Sequence, residues 1–192
     1  MATIKKKLGL GILLSLVSGL SAQGALLPVC QRTTPVKAFL EQNLRKTCEN
    51  ITADDLLTVK RVAVGHTNIS QFQADDFSGL ANLEILNIRS NPYTTLPEGL
   101  LKDLVHLKTL VIISASLRYY PDDFLAFNPE VERLHLFGNK VTSISESIFR
   151  RLENANHLQV LDFDFALQAP EKERLQKMFP TGGPVDLSLI GR

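Results

Sequence analysis

The chain has 192 residues, of which 44% are hydrophobic and 21% charged, and its formal net charge is +1. This composition fits one ordinary globular domain. The near-neutral charge excludes a protein that holds nucleic acid or anionic lipid through a broad basic field.

Residues 1–24 have the pattern of a secretory signal peptide. Three lysines precede an apolar stretch, Leu8–Leu20, and small residues follow it. This pattern predicts cleavage between Ala22 and Ala25. A retained membrane anchor is the first alternative, but the stretch is shorter than the about 20 residues of a span. A lipid on Cys30 is the second, although a bulky valine precedes that cysteine. We expect the mature chain outside the cytoplasm, secreted or periplasmic.

An N-terminal cap is predicted over residues 25–58. Cys30 and Cys48 flank a helix that Thr34 would cap, with Pro35 at its first position. Its apolar face comprises Val36, Phe39, Leu40 and Leu44. Two cysteines outside the cytoplasm are expected to pair, and the alternative is two unpaired buried thiols. A disulfide there would contribute about 3 kcal/mol and hold a cap over the first strand.

A second, shorter helix is predicted to follow in the same cap. Thr52 would cap it through Asp55, with Leu56 and Leu57 packing inward.

The stretch LEILNIRSNPYTTLPEGLLKDL, residues 83–104, has the spacing of a repeat unit. Leu83, Leu86 and Ile88 follow L-x-x-L-x-L, so Leu86 and Ile88 lie on one face of a short strand. Asn91 follows, where its side chain can bond the backbone of a turn. One such unit cannot bury its own apolar face and therefore needs copies on both sides.

Four further units repeat this spacing. Starts occur every 24 residues and then after 27, at Val59, Leu83, Leu107, Val131 and Leu158. The longer last step implies three inserted residues near Asn154–Asn156. Core columns are Val62, Leu86, Leu110, Leu134 and Leu161; Ile69, Tyr93, Leu117 and Val141; Phe72, Leu96, Tyr120 and Ile144; and Phe77, Leu101, Leu125 and Phe149.

The pattern LxxLxLxxNxxxxLPxxLLxxL resembles the leucine-rich repeat family, in the form of a short secreted protein of bacterial type, over residues 59–170. The resemblance implies an α/β fold, a curved solenoid with a parallel concave sheet of about five strands, usually used to bind proteins or peptides. Thr67, Ala115 and Ala166 replace the asparagine of the motif, and Asn128 stands in a leucine column.

A short C-terminal cap is predicted over residues 171–192. Glu171–Phe179 would form a helix whose inward face carries Leu175, Met178 and Phe179, and Val185–Leu189 alternates like a strand.

The open face of the predicted sheet is the candidate binding surface. Ile85, Val111, Ile113 and Phe137 would form an apolar centre, which we call the concave patch. A polar rim would surround it, as binding surfaces have. The full set of candidate partner-binding residues is Arg61, Ile85, Asn87, Arg89, Val111, Ile113, Arg133, His135, Phe137, Asp162 and Asp164. The alternative is that these residues only satisfy strand propensity, or that a terminal segment covers them.

The expected face is small. Five strands about 4.8 Å apart, each exposing about 13 Å, give on the order of 300 Å². A standard interface takes about 800 Å² from each partner. The sequence therefore favours a short peptide ligand, a footprint extended by loops, or low affinity.

Two alternative functions follow from the same residues. His135 and Asp162 share a row on adjacent strands, so with Asp164 they could hold a metal in an enzyme. No nucleophile stands beside His135 and no phosphate loop is present, so we expect a structural His–Asp pair, no catalysis, no metal and no cofactor. The second alternative is a structural envelope protein that forms a homodimer through the patch.

Overall fold

The protein is described here by a computed structural model that covers residues 26–113, 115–163 and 166–180. The predicted signal peptide lies outside the described residues, as do Asp164 and the strand expected at 185–189. No helix within the described ranges is both long and apolar enough to cross a membrane.

Five short parallel strands form one sheet in sequence order. They are β1 (Arg61–Ala63), β2 (Ile85–Asn87), β3 (Thr109–Val111), β4 (Arg133–His135) and β5 (Val160–Asp162). The central residue of each strand is paired in register with the next and is fully buried: Val62, Leu86, Leu110, Leu134 and Leu161. The predicted apolar column is therefore confirmed, because alternation sends one residue of each strand into the core.

Asn91 closes the turn after β2 as its position predicts. Its Nδ2 donates to the carbonyl oxygens of Val64 and Ile88 at 2.8 and 3.1 Å, while its Oδ1 accepts the backbone N–H groups of Thr67 and Ile69, both at 3.1 Å. Donors and acceptors of two consecutive units are thus satisfied by one buried side chain.

In three of the units the described turn has a left-handed residue at the same repeat position. His66, Ser90 and Gly138 have φ of 58°, 54° and 76° at a spacing that follows the repeat. Glycine adopts this conformation at no steric cost, whereas the side chains at the other two positions resist it. The repeat therefore imposes its backbone on residues that do not favour it.

The predicted core columns are buried, with one correction. Leu125 is only partly buried and has a left-handed φ of 62°, while its neighbour Phe124 is 1% exposed. Asn128, in the leucine column, donates from Nδ2 to the carbonyl oxygens of Leu101 and Leu104 at 3.0 and 2.9 Å. In this third unit, an amide that bonds the backbone of the preceding unit therefore replaces the apolar packing of a leucine.

The N-terminal segment forms α1 (Thr34–Leu44) and α2 (Ala53–Thr58). The Cys30–Cys48 disulfide is present, and Val36 and Leu40 are fully buried. The predicted N-cap of α1 is displaced by one residue, because Thr33 precedes the helix and uses its hydroxyl to reach Asp76.

In α2 the predicted capping box is confirmed between Thr52 and Asp55. Leu56 packs inward, but the expectation for Leu57 is wrong, since its side chain is 41% exposed. Leu56 and Leu57 are consecutive in the helix, so their side chains point in different directions and only one of them can face the core.

Two helices follow β4. α3 (Glu146–Glu153) lies before β5, and α4 (Ala169–Met178) lies after it. The helix predicted near Glu171–Phe179 is confirmed, with Leu175 fully buried and Met178 and Phe179 partly so. The helical form of α3 was not predicted, because its buried residues Ile148, Phe149 and Leu152 also fit the spacing of a repeat unit.

Candidate binding surface

Two rows of residues flank the buried column along the sheet. The strand register aligns Arg61, Ile85, Thr109, Arg133 and Val160 in one row, and Ala63, Asn87, Val111, His135 and Asp162 in the other. Gly65, Arg89, Ile113 and Phe137 continue beyond the strand ends. The register confirms that His135 and Asp162 share a row on adjacent strands, as predicted.

The concave patch is less open than the sequence suggests. Ile85, Val111, Ile113 and Phe137 are all partly buried rather than exposed. Neighbouring strands lie about 4.8 Å apart, so adjacent side chains in a row cover one another's flanks. The patch offers a shallow apolar floor and no protruding side chain.

Arginines border the patch in two different states. Arg133 forms an ion pair with Glu132, with Nη1 and Oε2 3.3 Å apart. Arg61 and Arg89 are exposed, and the part of the chain that the structure describes places no carboxylate within ion-pairing distance of either. Asn87 contacts only the backbone here, because its Oδ1 accepts the Arg89 N–H at 3.2 Å.

Gly65 positions Arg89. A Cβ atom added to Gly65 would lie 3.1 Å from Arg89 Cγ and 3.2 Å from the Arg89 carbonyl oxygen. The φ of Gly65 is not in the left-handed region, so the glycine supplies room and not conformational freedom. The aliphatic stem of Arg89 therefore lies over the end of β1.

The His135–Asp162 pair exists, and it corrects the expectation for Asp162. His135 Nδ1 lies 2.7 Å from Asp162 Oδ2, and Asp162 Oδ1 accepts the Leu136 N–H at 2.6 Å. Asp162 is 2% exposed, so it does not stand as a free charge on the rim. A buried carboxylate needs such partners, and here both of its oxygens are used. Only His135, which is partly exposed, reaches the open face.

A charged row follows the edge where the strands begin, and the sequence reading overlooked it. Glu84 Oε1 lies 3.5 Å from Lys60 Nζ, and Glu84 Oε2 lies 3.3 Å from Lys108 Nζ. The hydrogen bond from Lys108 is the main cause that holds the pKa of Glu84 below its usual range. These three residues are 24 residues apart, and residues at equal repeat positions are neighbours on adjacent strands. The row could therefore have been predicted from the sequence.

Ligand-type side chains do not converge on the open face within the described ranges. The described cluster of three such groups is Cys30, Cys48 and Glu49, in which both sulfurs belong to the disulfide. His135 contributes a single ring nitrogen, because Asp162 takes the other.

The comparisons with known proteins agree with this geometry. The family model described as Leucine rich repeat matches residues 58–119. The chain therefore has a leucine-rich repeat fold. Its fold is typical of protein–protein interaction domains and of binding scaffolds without catalysis. No curated protein is significantly similar to it in sequence.

Two solved structures show the likeness of fold. A leucine-rich repeat protein of Leptospira interrogans is 24% identical, with a TM-score of 0.58 over 72% of this chain and 34% of its own. The leucine-rich repeat domain of APL1B is 17% identical, with a TM-score of 0.51 over 62% of this chain and 34% of its own. This leucine-rich repeat protein thus spans about a third of each of those chains.

Proposed function

We propose that this leucine-rich repeat protein is an extracytoplasmic binding protein whose concave face holds a peptide segment of a partner protein. The observation that carries the proposal is the partly buried apolar patch of Ile85, Val111, Ile113 and Phe137, held in register on the open face beside two arginines without carboxylate partners. A binding surface combines an apolar centre with a polar rim in this way.

The location outside the cytoplasm is part of the same proposal. A disulfide joins Cys30 to Cys48, and such bonds persist in oxidising compartments. The pattern of residues 1–24 supports export, with residues 25–58 as N-terminal cap, 59–170 as repeats and 171–192 as C-terminal cap. Cleavage of the leader would leave the disulfide close to the new N-terminus.

Binding rather than catalysis is supported by the state of the polar groups. Both oxygens of Asp162 are bonded, and the row neighbour of His135 on β3 is Val111. A general base needs a proton donor or a bound water within reach, and a nucleophile needs such a base beside it. We therefore propose that the His135–Asp162 pair holds β4 to β5.

A pair of phenylalanine variants tests the concave face. Phe137→Asp places a charge in the patch and should abolish capture of the partner, because the partner would have to desolvate that carboxylate. Phe127→Asp is the matched control, since Phe127 is 47% exposed and lies outside the sheet. Circular dichroism checks that both variants fold.

The measurement is quantitative capture from the extracytoplasmic fraction of the source cells. A protein captured by wild type and Phe127→Asp, and lost with Phe137→Asp, supports the proposal. Equal capture by all three refutes the assignment of the concave face. Sedimentation at two concentrations shows whether a second copy of the chain occupies the concave face. Such a dimer would dissociate on dilution and in the Phe137→Asp variant.

A further inference from the structure

The two ends of the concave face differ in charge compensation. At the β4 end, Arg133 pairs with Glu132, and His135 contacts Asp162. At the β1 end, Arg61 and Arg89 are exposed and have no described carboxylate partner. Two guanidinium groups that nothing else on the described face neutralises favour an anionic group on the ligand.

The floor between these arginines is made of small residues. Ala63 is exposed on β1, and Gly65 follows it with no side chain. The stem of Arg89 lies against Gly65, so a methyl group there would have to displace it by a few tenths of an ångström. The Arg89 stem therefore occupies the space above Gly65, and the open floor beside it is Ala63.

The apolar patch begins beside this floor at Ile85, and Asn87 separates Ala63 from Val111 in their row. Ile85 pairs with Arg61 across β1 and β2, and Val111 lies two strands from Ala63. Three strand spacings of about 4.8 Å separate β1 from β4, which is about 14 Å. An extended peptide covers that distance with four or five residues at about 3.3 Å each.

We propose that the concave face selects an extended acidic–apolar peptide. Its carboxylates lie over Ala63 between Arg61 and Arg89, and its apolar residues lie over Val111, Ile113 and Phe137. This proposal rests on the proposed function. It adds the chemistry of the bound segment and the end of the concave face at which its acidic part lies. A peptide fits better than a polyanion because the chain has a net charge of only +1 and offers two arginines beside an apolar floor.

Selection from a display library of random eight-residue peptides tests the proposal. The baits are wild type, Arg61→Gln/Arg89→Gln, Phe137→Asp, and the control Arg118→Gln/Lys177→Gln, which removes the same charge at two exposed positions outside the sheet. Wild type and control should enrich peptides with Asp or Glu at one end and apolar residues at the other. The double arginine variant should enrich apolar peptides without that acidic bias.

Binding of one selected peptide then gives the size of the effect. Arg61→Gln/Arg89→Gln should weaken it about tenfold, the magnitude of one lost charge-assisted hydrogen bond. The same peptide with Gln in place of Glu should bind wild type and variant within about twofold of each other. Raising the salt concentration should lower the affinity of the acidic peptide and leave that of the Gln peptide unchanged.

Gly65→Ala provides a test that keeps both charges. By moving the stem of Arg89 it should weaken the acidic peptide several-fold and leave the Gln peptide nearly unchanged. Equal effects on both peptides would show that Gly65 does not position Arg89 for the carboxylate.

The outcomes separate the two proposals. Enrichment by wild type of apolar peptides without acidic bias overturns the acidic subsite and leaves the concave-face function standing. Peptides that bind Phe137→Asp as well as wild type overturn the function itself. Tighter binding of a short inorganic polyphosphate than of the acidic peptide would replace the peptide as occupant.

Discussion

The described ends of the solenoid are held by different kinds of interaction. At the N-terminal end, the Arg32 guanidinium is 3% exposed and donates to the carbonyl oxygens of Asp76 and Ser78 at 3.1 and 2.7 Å. Asp76 is fully buried and accepts the backbone N–H groups of Thr33 and Gln73. Burial lowers the pKa of Arg32, and the nearby Asp76 opposes that shift.

At the C-terminal end the polar contacts lie in solvent. Arg174 donates to both oxygens of Glu146, at 2.6 and 3.0 Å, and its guanidinium carbon lies 4.0 Å from the centre of the Phe149 ring. Apart from Leu175, α4 has no fully buried side chain among the described residues. The comparison teaches that charged groups fix an end of the solenoid only where they are withdrawn from water, since exposed pairs contribute little.

Asp76→Ala should have the largest effect on stability. It removes the buried acceptor of the Thr33 and Gln73 N–H groups and the carboxylate that most favours the charged form of Arg32, so we expect a loss of about 4 kcal/mol in the free energy of unfolding. Urea denaturation measures it. Asp75→Ala is the control, because Asp75 is exposed and its partner Lys102 is on the surface, and its midpoint should stay close to wild type. Similar urea midpoints for Asp76→Ala and Asp75→Ala would contradict the conclusion that the buried charges stabilise the N-terminal end.

Leu175→Ala should have an intermediate effect. The side chain is fully buried against the last repeat, and loss of its packing should cost about 2–3 kcal/mol. Hydrogen exchange should show α4 opening first while the β1 end stays protected, because the disulfide and Arg32 hold that end independently. Uniform loss of protection along the sheet would instead make the solenoid one cooperative unit.

Glu146→Gln should have the smallest effect at neutral pH. The hydrogen bond from Arg174 lowers the pKa of Glu146 to about 2 from an ordinary value of 4.5. A depressed carboxyl pKa adds stability above pH 4.5 that is lost as the pH falls toward 2. Thermal melts should therefore show a slightly lower midpoint for the variant at pH 7, because the pair is exposed, and the two midpoints should converge as the pH falls toward 2. If the melting temperatures of wild type and variant changed equally between pH 4.5 and 2, the Glu146–Arg174 pair would not contribute to stability.

The sequence predicted most of the candidate surface but not its electrostatics. Rows and register follow from the 24-residue period, so Arg61, Ile85 and Val111 were placed correctly. The contact of His135 with Asp162 was also predicted, but the burial of Asp162 was not, because alternation gives the face of a side chain and not its depth. Only the positions of Leu136 and His135 around it show that its carboxylate is buried and bonded.

By itself the sequence determined the repeat, its phase and the single apolar column, because each follows from the spacing of residues along the chain. The disulfide was predicted because the chain has two cysteines and the pattern of an exported protein. Tertiary structure decided what depends on contacts between distant residues. Arg32 meets Asp76 across 44 residues, and Arg89 folds over Gly65 because the two stand side by side on adjacent strands. The burial of apolar side chains repeats at a fixed spacing and can therefore be predicted from the sequence. The pairing and burial of a charge depend on all the side chains that surround it in the folded chain.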